Sequence, residues 1–420
     1  MSRIFVAGGA HSRFIGKGHP DFIWKRHPDF GTKENPNLRE HLSVALDGLR
    51  EALGLDDFSM VDKAYLGNFV GELFVSQGHL GAALAGAHPS LEGKPSMRVE
   101  GACASGGLAA LCGVDALGAG ADVCLIAGVE IQTTASARVG GDYLARASDY
   151  SRQRSIDDFT FPALFARRTK HYLQQTGCTE EDIGRAAVKA YANANRNPLA
   201  HMQHRTVDLA LAGSASEKNP NFLSNEEFSA YLKITDCSQV SDGASAMILC
   251  TEEGLAKLGL REEDVIEWAG WGHATASLYT DGDPLALETT KLAAERAYAM
   301  AGIAAEDVGI AEVHDCFTLT EILMYEALGF AGRGEGAQLL RENATAIEGA
   351  IPVNTGGGLV GFGHPVGATG VKQIVEIWRQ MKQRCGDYQV KSSPLWGLTA
   401  NMGGDDKTAV VGVFKNCEAP

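Results

Sequence analysis

Residues 101–129 read GACASGGLAALCGVDALGAGADVCLIAGV, and this stretch carries three successive patterns. A loop of small residues around Cys103 comes first. A helix is then indicated by apolar residues at helical spacing, namely Leu108, Leu111, Val114 and Leu117. It ends at the glycines of 118–120, and the continuous apolar run 123–129 predicts a buried strand. The stretch therefore predicts one helix–strand unit of an α/β protein.

The same order of patterns recurs in the second half of the chain. An apolar helical run follows His364, its members being Val371, Ile374, Val375, Trp378 and Met381. A strand at 408–414 then closes this half, as a strand at 244–250 closes the first. Earlier in each half, a helix that ends in glycine leads through an acidic turn into a strand, at 63–66 and at 309–313. This alternation predicts two similar α/β halves with mainly parallel sheets, whose helix N-termini meet at a shared interface.

An insertion separates the two parts of the first half. Residues 131–235 break the alternation, because they are polar and rich in turns, with arginines at 167–168. We therefore predict a first half formed by 1–130 and 236–262, and a second half formed by 263–420. The insertion is expected to cover a site.

The composition excludes several classes of protein. The 420 residues are 45% apolar and 21% charged, which is typical of a soluble enzyme. The net charge of −15 argues against nucleic-acid binding, which needs clustered basic residues. Nine cysteines without a CxxC pair, and a start without a targeting pattern, predict a cytoplasmic protein. No apolar run is long enough for a membrane span, and no metal site is expected.

Cys103 is the first candidate for chemistry. It directly precedes the predicted helix, where the macrodipole and the unpaired N–H groups should lower the pKa of the thiol. A thiolate there would be a nucleophile with space for substrate. The alternative is a buried cysteine at a tight helix start.

His314 and Cys316 form a second candidate group, at the end of a strand and the start of a helix. The histidine could donate to an oxyanion, and the cysteine could move a proton. The alternative is an ordinary helix start that Asp315 caps.

A third group is the stiff segment Gly363-His364-Pro365, preceded by the glycine run 356–358. A histidine held there suits a general base or an oxyanion donor. The phosphate-binding glycine motifs do not match its spacing. The segment 399–404 is predicted to be a turn whose backbone N–H groups could face a pocket.

Together these segments resemble the thiolase superfamily in order and spacing over essentially the whole chain. The marks of the family are Cys103-Ala104-Ser105, Gly363-His364-Pro365 and Gly403-Gly404, and Asp242-Gly243-Ala244 resembles a further family segment. The resemblance implies the thiolase fold, in which two βαβαβαββ halves pack in layers. It also implies that the 131–235 insertion is the loop domain that binds coenzyme A.

Two departures from the usual thiolase sequence indicate which subfamily the chain resembles. Most thiolases have Asn-Glu-Ala-Phe where this chain has His314-Asp315-Cys316-Phe317, and they have a second cysteine where this chain has Asn401. Both changes together are typical of the sterol-carrier-protein-type thiolases. In that subfamily the second catalytic cysteine has moved to the loop of Cys316.

The resemblance implies thiolytic cleavage of 3-ketoacyl-CoA, or the reverse condensation, through an acylated Cys103. His364 would be the base that deprotonates Cys103. Cys316 would protonate the enolate or, in the condensing direction, remove the α proton, and His314 and His364 would donate to the thioester oxygen of the enolate. The N–H groups of Cys103 and Gly403 would hold the oxyanion, and Ser238 is the one candidate for contacting the pantetheine arm. Coenzyme A would be a substrate, with no permanent cofactor. A homodimer, or a tetramer, and a role in lipid metabolism such as fatty acid β-oxidation are also implied.

Three alternatives remain from the sequence. The first is an aldolase-type lyase for steroid side-chain thioesters that needs an OB-fold partner. The second is a non-catalytic subunit that binds acyl-CoA. The third is a decarboxylating ketoacyl synthase, which would leave Cys316 without a role. The acyl length and the direction of the reaction are open.

Overall fold

A computed structural model describes residues 3–417 of the chain. The strands are β1 (Phe5–His11), β2 (Lys63–Gly67), β3 (Ser96–Val99), β4 (Val123–Glu130), β5 (Gly243–Cys250), β6 (Ile266–Thr275), β7 (Ile310–Val313), β8 (Trp396–Gly403) and β9 (Thr408–Asn416). The first helices are α1 (Leu38–Leu53), α2 (Gly71–Phe74), α3 (Ala83–Ala87), α4 (Ser105–Gly118), α5 (Ala137–Leu144), α6 (Tyr150–Gln153), α7 (Thr160–Gln175) and α8 (Glu180–Ala194). The others are α9 (Leu209–Ala212), α10 (Glu252–Leu258), α11 (Glu288–Ala301), α12 (Thr318–Ala327), α13 (Gly336–Arg341), α14 (Gly358–Phe362) and α15 (Thr369–Met381).

The strands run in the order β3-β2-β4-β5-β1-β6-β9-β8-β7. Strands β1 to β5 belong to the first half and β6 to β9 to the second. The two halves are joined by a short antiparallel pairing of Phe5 and Val6 with β6. The first half has the expected five strands. The second half has four strands within the described residues. In place of a further strand between β7 and β8, Val353 forms an isolated bridge with Ala311.

Helices α4 and α15 form the central layer. Helix α4 packs on β2, β4 and α15, and α15 also packs on β1, β5 and β8. Helix α1 covers β1 and β5 from the other side, and α11 covers β6 and β9. Every residue of α15 except Arg379 is buried, as expected for a helix that packs against strands of both halves of the sheet. The predicted layered α/β arrangement of two similar halves is confirmed. The prediction of mainly parallel sheets is wrong, because five of the eight strand pairs between residues 3 and 417 are antiparallel. The last strand of each half, β5 or β9, runs against both of its neighbours.

The starts of α4 and α15 meet backbone to backbone. A Cβ atom at Gly106 would lie 2.9 Å from the carbonyl oxygen of Gly367, and one at Gly370 would lie 2.2 Å from the nitrogen of Gly107. Only glycine permits this approach. The loops that precede the two helices are thereby brought to one point.

The insertion forms helices α5 to α9 and packs against the second half. The ring of Phe165 in α7 stacks on that of Phe317, with centroids 4.5 Å apart. The buried Arg168 donates to Asp405, in the turn between β8 and β9, over 2.6 Å. None of the helices between residues 3 and 417 has both the length and the hydrophobicity that a membrane crossing requires.

We expect acid to destabilise the protein through its buried histidines. Burial lowers the pKa of His41 and His201 to about 4 and that of His364 to about 3. An unfolded histidine titrates near pH 6.5, so below that pH the unfolded chain binds protons that the folded chain does not. Stability is therefore lost as the pH falls, by about 1.4 kcal/mol for each of these histidines at pH 5.5.

Chemical denaturation at pH 7.5 and pH 5.5 measures this loss. The variant His41→Gln should show a smaller difference between the two pH values, by about 1.4 kcal/mol. The exposed His204 provides the control variant, His204→Gln, which should keep the full difference. An unchanged difference in His41→Gln would contradict the assignment.

Candidate active site

The loop that carries Cys103 is strained and held by side chains. A short 3₁₀ turn over Ala102–Ala104 leads into α4, and Ala102 has a φ of 53°, in the left-handed region that alanine rarely adopts. Ser105 Oγ accepts from the Gly101 nitrogen over 3.0 Å and donates to the Ala102 carbonyl over 2.6 Å. Backbone strain of this kind costs about 1–3 kcal/mol and is concentrated at functional sites.

The thiol of Cys103 is protonated in the free protein. Burial raises its pKa to about 12, and the Gly404 N–H opposes this rise only in part. The prediction of a lowered pKa is therefore wrong for the free protein, because loss of hydration outweighs the helix N-terminus. The thiolate has to be formed by transfer of the proton to a neighbouring base.

Two histidines lie beside this thiol. One ring nitrogen of His314, one of His364 and the Cys103 sulfur all lie within 4.8 Å of one another. The two rings meet edge to face, with centroids 5.1 Å apart. A Cys–His–His set of this size could hold a metal ion, and it could equally serve as a nucleophile with a base and a donor.

The hydrogen bonds of His364 leave one nitrogen free to accept a proton. Its Nδ1 lies 2.6 Å from Thr369 Oγ1, and that hydroxyl donates its own proton to the Pro365 carbonyl over 3.1 Å. The hydroxyl therefore accepts from Nδ1–H, and the lone pair is on Nε2. Burial keeps the ring neutral by lowering its pKa to about 3.

The hydrogen bonds of His314 fix the opposite tautomer. Asn401 Oδ1 accepts from the Gly107 nitrogen over 3.1 Å, so its Nδ2 must be the donor end. Nδ2 donates to the Cys103 carbonyl over 3.0 Å and to His314 Nδ1 over 3.3 Å. His314 therefore carries its proton on Nε2. Burial lowers the pKa of this ring as well, so it is a neutral donor.

Cys316 is buried in the same site, and burial raises the pKa of its thiol. Its Sγ lies 3.8 Å from Thr320 Oγ1. The Ser238 nitrogen donates to the Cys316 carbonyl over 3.0 Å, and Cys237 forms an antiparallel bridge with Phe317. The segment that returns from the insertion therefore supports the Cys316 loop.

The expected role of Asp315 as the cap of its own helix is wrong. No side chain caps α12, and Asp315 instead accepts from the Leu359 nitrogen over 2.6 Å and the Val360 nitrogen over 3.4 Å. These nitrogens belong to α14, which leads to His364. Asp315 thus ties the loop of His314 and Cys316 to the loop of His364.

The segment 399–404 is mainly strand and not the expected turn. Residues up to Gly403 belong to β8, because their backbone pairs with β9 throughout and with β7 as far as Ala400. A Cβ atom at Gly403 would lie 2.3 Å from the Gly101 carbonyl, so this glycine lets the strand approach the Cys103 loop. The turn starts at Gly404.

The candidate residues line one cavity of about 210 Å³. They are Cys103, Ser238, His314, Cys316 and His364. Gly404 lines it as well, whereas Gly403 lies just behind. The insertion contributes apolar side chains to the opposite wall, including Phe159, Phe161 and Phe165. The expectation that the insertion covers a site thus agrees with the position of these rings.

The sequence reasoning missed three positioning groups. Asn401 stood out only as the place where most thiolases have a cysteine, and Thr369 follows His364 by five residues at a helix start. Gln132 also lines the cavity, and its Nε2 donates to the His364 carbonyl over 3.1 Å. No local pattern marks these residues, because their partners lie in distant parts of the chain.

Two family models match the chain. Residues 31–253 match "Thiolase, N-terminal domain", and residues 270–416 match "Thiolase C-terminal domain-like".

Proteins of known name are similar over most of the chain. An acetyl-CoA acetyltransferase of Methanothermobacter thermautotrophicus is 33% identical over 90% of this chain and 94% of its own. The benzoylsuccinyl-CoA thiolase subunit BbsB of Thauera aromatica is 31% identical over 86% and 89%, respectively. Human sterol carrier protein 2 is 25% identical over 96% of this chain and 70% of its own.

A solved structure, the Ltp2-ChsH2(DUF35) aldolase, superposes with a TM-score of 0.74. It covers 99% of this chain and 98% of its own at 20% identity, which shows a shared fold.

Proposed function

Because the chain belongs to the thiolase family and is an acyl-CoA acyltransferase, we propose that it transfers acyl groups through a thioester on Cys103. The reaction would be the thiolytic cleavage of a 3-ketoacyl-CoA or the reverse condensation. The complementary tautomers of the two histidines carry this proposal. His364 presents a lone pair to the thiol of Cys103, and His314 presents an N–H beside the same thiol.

In the first step His364 Nε2 takes the proton of Cys103, and the sulfur attacks the keto carbon of the substrate. The N–H groups of Cys103 and Gly404 hold the oxyanion, since Gly404 lines the cavity in place of the expected Gly403. The Gly404 N–H, beside the sulfur, favours the thiolate.

When the tetrahedral adduct collapses, the carbon–carbon bond breaks and the enolate of acetyl-CoA leaves. His314 Nε2–H donates to the enolate oxygen, and Cys316 gives its proton to the enolate carbon. The Cys316 thiolate then takes the proton of the incoming coenzyme A thiol, which attacks the acyl-Cys103 thioester. His364 returns its proton to the departing Cys103 sulfur, so that all three groups regain their starting protonation. In the condensing direction each step is reversed, with Cys316 removing the α proton.

Coenzyme A is a substrate in this scheme, and no permanent cofactor takes part. We propose a homodimer, formed directly or as half of a tetramer. The open edge at β3 supports this, since Met97 is half-exposed there and a strand edge can pair with a second copy. All nine cysteines are free, in accord with a cytoplasmic protein of lipid metabolism.

The experiment is to incubate the protein with acetyl-CoA and longer acyl-CoAs and to measure its intact mass. A mass increase equal to the acyl group is expected. Binding of coenzyme A without an adduct from any thioester would contradict the proposal. That result would favour a binding subunit, or a lyase that needs an OB-fold partner.

Asn401 is expected to act as a positioning residue for His314 and for the Cys103 loop. In Asn401→Asp the donor nitrogen is replaced by oxygen, so His314 has to turn its proton toward the carboxylate and loses the N–H on Nε2. We expect kcat to fall about 10²-fold to 10³-fold, as for the loss of an oxyanion donor.

The pH dependence of kcat distinguishes this role from a merely structural one. A carboxylate beside His314 raises the pKa of the ring, so Asn401→Asp should show an additional ionisation in the profile. The matched control is Asn416→Asp, since Asn416 Nδ2 also donates to a carbonyl, that of Met381, over 3.2 Å. A profile of unchanged shape in Asn401→Asp would refute the positioning role.

A further inference from the structure

We infer that the acyl group carried by Cys103 is apolar, uncharged and about the size of an aromatic ring. This inference rests on the proposed function and names the substrate class of the same site. It is drawn from the walls of the cavity that Cys103 shares with His314, Cys316 and His364.

One wall of the cavity is built from five phenylalanines, which we term the aromatic wall: Phe69, Phe159, Phe161, Phe165 and Phe222. Three of these rings are held by contacts with another ring. Phe159 and Phe222 meet edge to face with centroids 5.5 Å apart, and Phe165 stacks on Phe317, beside Cys316. Such contacts restrict the rings, so the wall presents a stable apolar surface.

The charges around the cavity exclude an ionised acyl group. Of the residues that the structure describes, no aspartate, glutamate, lysine or arginine lines it. A carboxylate on the acyl chain would lose its hydration there without gaining a cationic partner, which is strongly unfavourable.

The volume of the cavity limits the size of the group. A dry apolar cavity of about 150 Å³ accepts benzene. The cavity here measures about 210 Å³, so it admits a ring with a short linker. An acetyl group would leave the aromatic wall without contacts.

The thioester arm of the substrate has a polar partner of its own, on another side of the cavity. Gln132 is buried, and its Nε2 donates to the carbonyls of Ser241 and His364, each over 3.1 Å. Its Oε1 has no hydrogen-bond partner within residues 3–417. An amide N–H of the pantetheine arm would satisfy this oxygen, whereas the aromatic wall offers that arm no polar contact. The aromatic wall is thereby left for the acyl group.

The test compares the rates at which Cys103 is acylated by acetyl-CoA, phenylacetyl-CoA and succinyl-CoA, read as intact mass over time. The apparent second-order rate with phenylacetyl-CoA should exceed that with acetyl-CoA by about 10-fold to 100-fold, which is typical of burying a phenyl group. Succinyl-CoA should be the slowest. A faster reaction with acetyl-CoA or with succinyl-CoA would overturn the inference and leave the acyl-enzyme mechanism standing.

A variant locates the preference in the aromatic wall. Phe161→Ala should lower the ratio of phenylacetyl to acetyl rates by about tenfold, and its remaining acetyl adduct shows that the protein is folded. The matched control is Phe30→Ala, because Phe30 is 54% exposed and lies outside the cavity. An equal loss of both rates in Phe161→Ala would assign the wall to the thioester arm and refute the inference. No adduct with any thioester would instead refute the proposed function itself.

Discussion

Replacing Cys103 by alanine is expected to abolish the acyl adduct and to lower kcat/KM by about 10⁴-fold or more. The loss is large because the sulfur is the only atom of the protein that forms a bond to the acyl group in the proposed reaction. His364, His314 and the oxyanion donors then have no nucleophile to assist. Intact mass after incubation with acyl-CoA measures the adduct, and release of free coenzyme A measures turnover.

A second cysteine of the same helix serves as the matched control. Cys112 lies in α4, is partly buried and does not line the cavity. Cys112→Ala should keep both the adduct and the turnover. If an adduct of full size persisted in Cys103→Ala, another residue would be the nucleophile and the assignment would be lost.

The variant Cys316→Ala should separate acylation from turnover. We expect the adduct on Cys103 to form still, while kcat falls about 10²-fold to 10⁴-fold, as for the loss of a general acid–base group. The reason is that Cys316 moves the proton at the α carbon and does not bond to the acyl group. Exchange of the methyl protons of acetyl-CoA in D₂O, followed by NMR, measures that proton transfer directly and should be lost.

Serine gives a chemical control at this position. Cys316→Ser keeps the size and the hydrogen bond toward Thr320, but a hydroxyl is a far weaker acid than a thiol. It should therefore behave like Cys316→Ala in the exchange reaction. Normal exchange in both variants, or loss of the adduct in both, would assign Cys316 to a role other than proton transfer.

The sequence predicted those parts of the molecule that depend on local patterns. The apolar run 123–129 became β4, and the run at 408–414 became most of β9. Continuous apolar runs identified these elements because β4 is buried over its full length and β9 is buried from Ala409 to Phe414. The repeat of the two halves could be recognised in the sequence for the same reason.

The sequence could not predict features that depend on contacts between distant segments. The thiol of Cys103 was expected to be acidic from its helix start, but burial beneath other segments has the larger effect on its pKa. Asp315 caps a helix more than 40 residues away along the chain. Asn401 fixes the tautomer of His314 from a strand that was predicted to be a turn. Each of these outcomes needs the packed tertiary structure.

The backbone contact between α4 and α15 also has a consequence for biosynthesis. Cys103 lies near the start of the chain and His364 near its end, and they meet only when Gly106 lies against Gly367. A ribosome therefore exposes the nucleophile about 260 residues before the base that activates it. Until the last helix has docked, the nascent protein has a protonated thiol and no partner for it, so the polypeptide cannot consume acyl-CoA before its synthesis is complete.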